Sequence, residues 1–375
     1  MALELEPFRS SQGPWLLCSR KDGVGARLAN LLWTWRFARG AGLRTICFWP
    51  PLPSYYASNA GAQEVVDLAS PRAAELKDEL GIVDGRPRDY FRPAFVELDY
   101  GKALDPADYA VSASDIAGEE TPRARVITSA DRPPFREGET PAEVLEDAKR
   151  VFARLPLPAR IVDAVDSLAG QHDFGRLVAV HVRRGDIVEG LRTACLAFGP
   201  DDLLPRSMLD RYTQHYLRGC APTRTYLAIA KRFVETGHRI MFFSDTPSTA
   251  SAFQKRFASD LLFAADLAPA RLNSVQQALF EIVLMSRCSA IVATVSKFST
   301  LASVIGGAPL LDVRGEATPA HTIRAFRRAS GFDELPADVR AGVTEILLRQ
   351  LQRGRQLRRW KVDADEIRRL LQATR

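Results

Sequence analysis

The chain has 375 residues, which at about 150 residues per domain is enough for two domains. Hydrophobic residues make up 46% and charged residues 26%, ordinary values for a folded globular protein that argue against a disordered, collagenous or membrane-spanning chain. The net charge of +6 lies in residues 340–375, because residues 1–339 hold as many basic as acidic side chains. We therefore expect no nucleic-acid partner.

The amino-terminal sequence and the cysteines predict a cytoplasmic protein. The first residues, MALELEPFRSSQGPW, include two glutamates and a proline where a secretion signal needs an uninterrupted apolar stretch. No apolar run approaches the ~18 residues that span a membrane. The cysteines are widely spaced and form no CxxC pair, which favours buried, reduced thiols. They are Cys18, Cys47, Cys195, Cys220 and Cys288.

The first part of the chain predicts a βαβ unit. It consists of a strand over Trp15–Cys18, a helix over Ala26–Ala38 and a strand over Arg44–Trp49. The segment from Pro50 to Pro141 is rich in Pro, Gly and Ser and predicts loops with short strands.

A second α/β series follows a helix near Pro141–Arg154, and the segment Leu155–Gly170 marks the junction between the domains. The predicted elements of this series are strand Arg176–Val182, helices Ser207–Leu217 and Arg224–Glu235, strand Arg239–Phe243, helices Ser248–Phe257 and Ser274–Arg287, strand Ala290–Ala293, helix Ser299–Ile305 and strand Pro309–Val313. We predict two Rossmann-like α/β domains with parallel sheets, residues 1–165 and 166–335, and a basic helical tail, residues 336–375.

The segment LVAVHVRRGD, Leu177–Asp186, ends a buried strand with His181, Arg183, Arg184 and Asp186. Open parallel sheets bind ligands at the carboxyl ends of their strands. Two guanidinium groups suit a pyrophosphate, because they bind its oxygens in a bidentate geometry that lysine cannot copy. The alternative is a strand end with a solvated arginine pair and a hydrogen-bonded core histidine.

In the segment RIMFFSDTPS, Arg239–Ser248, a carboxylate follows the end of a second predicted strand. The carboxylate of Asp245 only accepts hydrogen bonds when ionised, so it complements the N1–H and N2–H donors of guanine. The alternative is a cap or Asx turn before the following helix.

A third segment, Ala278–Gly307, runs from a helix through a short strand and a Ser-rich connection into another helix. Ser296 and Ser299 lie near the start of that helix, where free amides and hydroxyls form an anion site. Simple helix capping is the alternative.

Other motifs predict neither a metal nor a bound cofactor. Gly23 and Gly25 follow a strand and begin a helix, but the third glycine of a dinucleotide fingerprint falls on Leu28. The only Asp-x-Asp, at Asp363 and Asp365, is part of a helix-capping pattern.

Taken in order, three segments resemble the fucosyltransferase superfamily that includes bacterial and eukaryotic α1,2-, α1,6- and protein O-fucosyltransferases. They are HVRRGD at His181–Asp186, FFSDTPS at Phe242–Ser248 and LMSRCSAIVATVSKFSTLAS at Leu284–Ser303. Enzymes of this superfamily carry HxRR, an SD-type turn and an SSFS-like element in this order. The glycine-rich turn is also similar to their Gly-x-Gly-Asn motif, with Ala26 where asparagine is usual.

The resemblance implies a GT-B fold whose two domains face a cleft, with the acceptor on the amino-terminal side. It also implies GDP-fucose as donor, a glycan acceptor, inversion at the anomeric carbon and no divalent cation. The implied role of Arg183 is to bind the β-phosphate, with Arg184 supporting the donor site. The other implied donor-binding residues are His181 and Asp245 at the guanine end, Ser296 and Ser299 at the phosphates, and Gly23 and Gly25.

The acceptor hydroxyl must lose a proton, and Asp186 and Glu189 are the candidate bases, although either can instead pair with Arg184. Two other functions remain open. One keeps the fold with a different nucleotide-sugar donor, and the other is a catalytically silent nucleotide-sugar-binding protein, suggested by Ala26.

The basic tail has two interpretations. Its arginines surround Leu357 and Trp360, a pattern suited to peripheral contact with the anionic inner face of a membrane. The alternative is a helix that packs on the protein with Trp360 as a core anchor.

Overall fold

Ten strands in the residues that the structure describes form two parallel sheets of five strands each. The computed structural model describes residues 13–51, 61–67, 69–98, 101–116, 121–199, 203–244, 246–294 and 296–373. Helices alternate with the strands, so the predicted α/β class with two parallel sheets is confirmed.

The strands are β1 (Trp15–Ser19), β2 (Arg44–Trp49), β3 (Leu80–Asp84), β4 (Arg92–Val96), β5 (Arg123–Ile127), β6 (Leu177–Val182), β7 (Arg239–Ser244), β8 (Leu261–Phe263), β9 (Ala290–Ala293) and β10 (Leu310–Asp312). The α-helices are α1 (Val24–Arg39), α2 (Pro71–Glu75), α3 (Ala113–Ile116), α4 (Pro141–Arg154), α5 (Ala159–Gln171), α6 (Gly185–Leu196), α7 (Leu203–Gly219), α8 (Thr223–Glu235), α9 (Pro247–Phe257), α10 (Ala264–Leu267), α11 (Ser274–Arg287), α12 (Lys297–Gly306), α13 (Pro319–Ser330), α14 (Ala337–Arg353), α15 (Gln356–Trp360) and α16 (Ala364–Gln372).

The chain divides into two units, and the first is discontinuous in sequence. It comprises Met1–Asp173, Leu267–Arg287 and Thr300–Ala308, whereas the prediction treats each domain as one continuous segment. The later segments belong to the first unit because α11 packs against α1 and α5. The second unit holds the rest of the chain, including the tail.

The strand order of the first sheet is β3-β2-β1-β5-β4. Strands β2 and β3 therefore lie on one side of β1, and β5 and β4 lie on its other side. Leu17 of β1 lies beside Val126 of β5 at this point of reversal. Ligands of open α/β sheets bind beyond the carboxyl ends of the strands where the order reverses. In the first unit that place is the edge formed by the ends of β1 and β5.

Helix α1 is buried from Val24 to Ala38 on all its sides, although amphipathic helices bury one face only. Three of its buried polar side chains hold neighbouring loops. Arg27 donates to the carbonyl of Pro50 at 2.5 Å, and Asn30 donates to the carbonyl of Ser129 at 2.8 Å. Arg36 donates to the carbonyl of Pro134 at 2.6 Å. These bonds fix the connections that follow β2 and β5.

The strands predicted loosely between Pro50 and Pro141 are β3, β4 and β5, which complete the first sheet. The segment predicted as a domain junction, 155–170, instead contains most of helix α5. Its buried residues Ile161, Val165 and Leu168 follow a helical spacing.

The second sheet has the order β10-β9-β6-β7-β8, with the reversal at β6 and β9. His181 of β6 lies beside Ala293 of β9 there. The strand interiors are apolar because both faces are buried, as Val178, Val180 and Ile240 illustrate. The candidate donor residues after β6 and β9 therefore meet at one edge of this sheet.

The tail helices pack into the second unit. Val343, Ile346 and Leu351 of α14 share a core with residues of α6, α7 and α13. Trp360 contacts the same core and donates its indole N–H to the carbonyl of Ala317 at 3.1 Å. No helix among the described residues is both long and apolar enough to cross a membrane.

Candidate functional site

His181 lies near the carboxyl end of β6 and is nearly buried, with 9% of its surface exposed. Its ring stacks on Phe298, at 5.1 Å between ring centroids and 26° between planes. Phe298 belongs to the first turn of α12. The histidine therefore joins the end of β6 to the Ser-rich turn that follows β9.

Arg183 and Asp186 form an ion pair, with Nη2 of the arginine 2.8 Å from Oδ2 of the aspartate. Both side chains are partly exposed, at 39% and 44%. Asp186 lies in the first turn of α6, where a carboxylate is favoured by the helix dipole. Sequence reasoning considered pairing of the carboxylates with Arg184, and the structure places the Asp186 carboxylate on Arg183 instead.

Arg184 has a different environment from Arg183. Its guanidinium donates to the carbonyl of Ala221 at 2.6 Å, in the connection between α7 and α8. Burial raises the pKa of Tyr226 to about 12, against the opposing effects of Thr294 and the nearby Arg184 charge. Arg184 thus lies beside the buried interior of the unit and helps to hold the loop, while the Arg183 side chain is 39% exposed.

Side-chain alternation would place His181 and Arg183 on one face only in a strand that reached Arg183. Strand β6 ends at Val182, so the alternation of side chains does not extend to Arg183. The conformation of Arg184, with φ −146° and ψ −40°, turns the chain into α6 instead.

Glu189 lies one turn after Asp186 on α6 and is exposed. It makes no hydrogen bond or ion pair with any residue that the structure describes. The two candidate bases therefore share one helix face but differ in their partners, since only Asp186 is held by an arginine.

Ser296 is the N-terminal cap of α12, because its Oγ accepts the N–H of Ser299 at 3.1 Å. The two hydroxyls are 2.9 Å apart, and the Ser299 hydroxyl donates to the carbonyl of Thr294 at 3.2 Å. Ser299 is fully buried, whereas Ser296 is partly exposed. The capping alternative thus describes the observed bonds, and Ser296 is the better placed of the two to meet a ligand.

Asp245 lies outside the described residues; the preceding Ser244 ends β7, beside Val182 of β6.

In the first unit, Gly23 precedes α1 and its carbonyl accepts the N–H of Ala26 at 3.0 Å. Gly25 and Ala26 are buried in the first turn of that helix. An asparagine-like polar group is therefore missing from this turn, and Ala26 contributes only packing.

Helix α7 adds a histidine that sequence reasoning missed. Arg211, His215 and Arg218 are spaced to lie on one helix face. Desolvation of the His215 ring and then the charges of Arg211, Arg183 and Arg218 lower its pKa, while Asp186 opposes them. The spacing was visible in the sequence, but the proximity to Arg183 depends on the packing of α6 on α7.

The described residues contain no group of three or more His, Cys, Asp or Glu side chains placed to hold a metal ion. All five cysteines are buried free thiols, as predicted. Arginines supply the positive charge at the end of β6. Helix α7 adds further positive charge beside it. This arrangement can bind phosphate oxygens and can stabilise negative charge on a leaving group.

Comparison with known proteins was made by sequence and by structure. No protein-family model matches the sequence, and no curated protein matches it at a significant level. Fucosyltransferase NodZ from Bradyrhizobium is 14% identical, with a TM-score of 0.46 over 82% of this chain and 98% of NodZ. POFUT1 in its apo form is 12% identical, with a TM-score of 0.43 over 80% of this chain and 99% of POFUT1.

POFUT1 in complex with GDP-fucose is 13% identical, with a TM-score of 0.42 over 79% of this chain and 96% of that one. One of these structures is thus that of a fucosyltransferase. At 12–14% identity and TM-scores of 0.42–0.46, these likenesses do not assign an activity to this chain.

Proposed function

We propose that this protein is an inverting GT-B glycosyltransferase that transfers fucose from GDP-fucose to a glycan hydroxyl without a divalent cation. The observation that carries the proposal is the exposed arginine at the sheet reversal of the second unit. Arg183 follows β6 there, and the adjacent β9 leads into the Ser296 cap of α12. The HxRR and Ser-rich motifs of the resemblance fall on these same two turns.

In this reaction the acceptor oxygen attacks the anomeric carbon of fucose, and the bond from that carbon to the β-phosphate oxygen breaks. The electron pair of that bond leaves with GDP. Arg183 binds the β-phosphate and stabilises the added negative charge, a role that a metal ion fills in other transferases. Arg184 acts as a positioning residue, because it holds the turn through the carbonyl of Ala221.

The proton of the acceptor hydroxyl passes to a carboxylate on α6. Glu189 suits this role better than Asp186, because it is exposed and no described residue holds its carboxylate. Asp186 is engaged by Arg183 in the unliganded protein. A diphosphate on Arg183 would release Asp186, so both carboxylates stay candidates for the base.

We assign the guanine specificity to Asp245, because a carboxylate accepts hydrogen bonds from the N1–H and N2–H of guanine. His181 supports that end of the site through its stack on Phe298. Gly23 and Gly25 stay predicted donor-binding residues on the sequence resemblance alone.

The tail supplies a weak contact with anionic membrane lipid. Leu357 and Trp360 pack against the core of the second unit, so the contact rests on charge alone. Arg355 and Arg358 are exposed, and neither forms an ion pair with a described residue. This contact would place the protein, as a peripheral one, at the inner face of a cytoplasmic membrane.

The deciding experiment is a transfer assay with GDP-fucose against a panel of acceptor glycans, in buffer containing EDTA. Formation of a fucosylated product at an undiminished rate is the expected result. Complete loss of transfer that Mn²⁺ restores would reject the metal-free mechanism. Binding of GDP-fucose without transfer or donor hydrolysis would favour a silent binding protein, and a preference for UDP over GDP would favour another donor.

A further inference from the structure

The first unit contains a cavity of about 320 Å³ at the carboxyl edge of its sheet. It is lined by Ser19 at the end of β1 and by Thr128 just after β5. These two strands flank the reversal of strand order, the usual place for a ligand in an open α/β sheet. The volume lies within the range of small-molecule sites.

Four basic side chains line this cavity, namely Arg20, Lys21, Arg86 and Arg88, and none of the described lining residues carries a carboxylate. Arg86 and Arg88 border a short turn after β3 and form no ion pair with any described residue. Lys21 is exposed and likewise makes no described ion pair. These three charges are therefore available to an anion.

Arg20 differs from these three because it is already neutralised. Its Nη2 lies 2.8 Å from Oδ2 of Asp22, and its Nη1 lies 3.8 Å from Oε2 of Glu97. It also donates to the carbonyl of Thr128 and so holds the end of β1 to the end of β5. Asp89 directly follows Arg88 and accepts the backbone N–H of Arg86 at 2.8 Å.

The rest of the cavity is apolar. Phe95 on β4 is 54% exposed, a large apolar side chain left open to solvent at the cavity. Three prolines form other parts of the lining. An aromatic face beside fixed cations suits a sugar ring, whose C–H face is apolar, when that sugar also carries negative charge.

We propose that this cavity binds an anionic saccharide, one that bears a carboxylate or a phosphate. Arg86, Arg88 and Lys21 bind the acidic groups, and Phe95 contacts the ring. That this saccharide is the acceptor of transfer rests on the proposed function, whereas its binding to the cavity does not. The proposal therefore narrows the acceptor from any glycan to an acidic one.

The test is calorimetric titration of the full chain with trigalacturonate, with glucose 6-phosphate, and with maltotriose as the neutral oligosaccharide. Binding of either acidic probe, with maltotriose at least tenfold weaker, is expected. The double variant R86A/R88A should weaken the acidic probe by tenfold or more. The matched control R123A removes an exposed arginine at the amino end of β5, at the opposite edge of the sheet, and should bind like wild type.

A separate variant tests the contact of Phe95 with the sugar ring. Phe95→Ala should weaken trigalacturonate several-fold without affecting citrate, a polyanion that lacks a ring. Equal binding of maltotriose and trigalacturonate, binding of citrate as tight as that of the saccharide, or no binding of either acidic probe would overturn the proposal.

The affinity for GDP distinguishes a failure of this proposal from a failure of the proposed function. This affinity should be the same in wild type and R86A/R88A, because the donor arginine lies in the second unit. Loss of GDP binding in this variant would show that the cavity is a nucleotide site and would reject the saccharide assignment. A protein that binds the acidic saccharide but transfers nothing would fail the proposed function alone.

Discussion

Arg183 and Asp186 are three residues apart and hold each other across the turn that joins β6 to α6, with 2.8 Å between Nη2 and Oδ2. The strongest candidate for binding phosphate is therefore occupied by an internal carboxylate in the free protein. A diphosphate that binds Arg183 must compete with Asp186, and the first prediction below follows from this competition.

Asp186→Asn should tighten GDP binding by up to about fivefold, because it removes a competitor for Arg183 from an exposed pair worth roughly 0–1 kcal/mol. Calorimetry with GDP measures the change. Asp365→Asn is the matched control, since Asp365 also pairs with an arginine three residues on, in the first turn of α16. Weaker GDP binding by the Asp186 variant would contradict the competition.

Arg183→Ala should weaken GDP by about 1.5–3 kcal/mol and slow transfer by about 10²–10³, because the leaving-group charge loses its donor. Arg183→Lys should also fail to restore transfer, since the two-pronged geometry is lost. Arg192→Ala, which removes an exposed arginine on α6, is the control. Near-normal transfer by the alanine variant would remove Arg183 from the phosphate site.

His215 should report the arrival of the diphosphate. In the free protein, desolvation and then Arg211, Arg183 and Arg218 hold its pKa below the ordinary 6.5. Added phosphate charge offsets these cations, so GDP should raise the pKa, and GDP should bind more tightly as the pH falls through that range.

NMR titration of the imidazole signals with and without GDP measures this shift, with His215→Asn for assignment. His238 precedes β7 at the opposite edge of the sheet, so its signals should not respond to GDP. An unchanged His215 titration would place the phosphates away from α7.

Glu139 should contribute to the stability of the first unit. Burial of its carboxyl opposes ionisation, but hydrogen bonds from Arg136 and from the fully buried Arg36 outweigh this and lower its pKa to about 2. Because the folded pKa lies below the ordinary 4.5, this stabilisation is present above pH 4.5 and is lost as the pH falls toward 2.

Glu139→Gln should lower the free energy of unfolding by about 3 kcal/mol, since it leaves Arg36 with Asp147 alone, 3.5 Å away, as its acidic partner. Urea denaturation measures the loss. Glu146→Gln changes an exposed carboxylate on α4 and should stay within about 0.5 kcal/mol of wild type. Equal stability of the two variants would contradict the assigned role.

Binding to vesicles tests the tail. The full chain should co-sediment weakly with anionic vesicles but not with neutral ones, and moderate salt should abolish the binding. The double variant R355E/R358E should lose it, whereas R123E in the first unit should keep it. Equal binding to neutral vesicles, or no binding at low salt, would leave the tail as a packing element only.

Strand β8, Leu261–Phe263, was missed, but the other four strands described in the second unit were predicted, because buried parallel strands read as short apolar runs, as β6 and β9 do. The pairing of Arg183 was not, because side-chain alternation loses its meaning once the strand ends at Val182. His215 was also missed, since its role depends on two helices whose contact no local spacing specifies. Helix α1 shows the same limit, because Arg27 and Arg36 look like surface residues in the sequence and are fully buried.

The passage of α11 and most of α12 into the first unit has a consequence for dissection of the protein. A cut after Asp173 yields an amino-terminal fragment without α11, which leaves its contact surfaces on α1 and α5 uncovered. The remaining piece keeps a helix that belongs to its former neighbour. Neither piece is a self-sufficient domain, so the two units of this protein cannot be exchanged between homologues at one breakpoint.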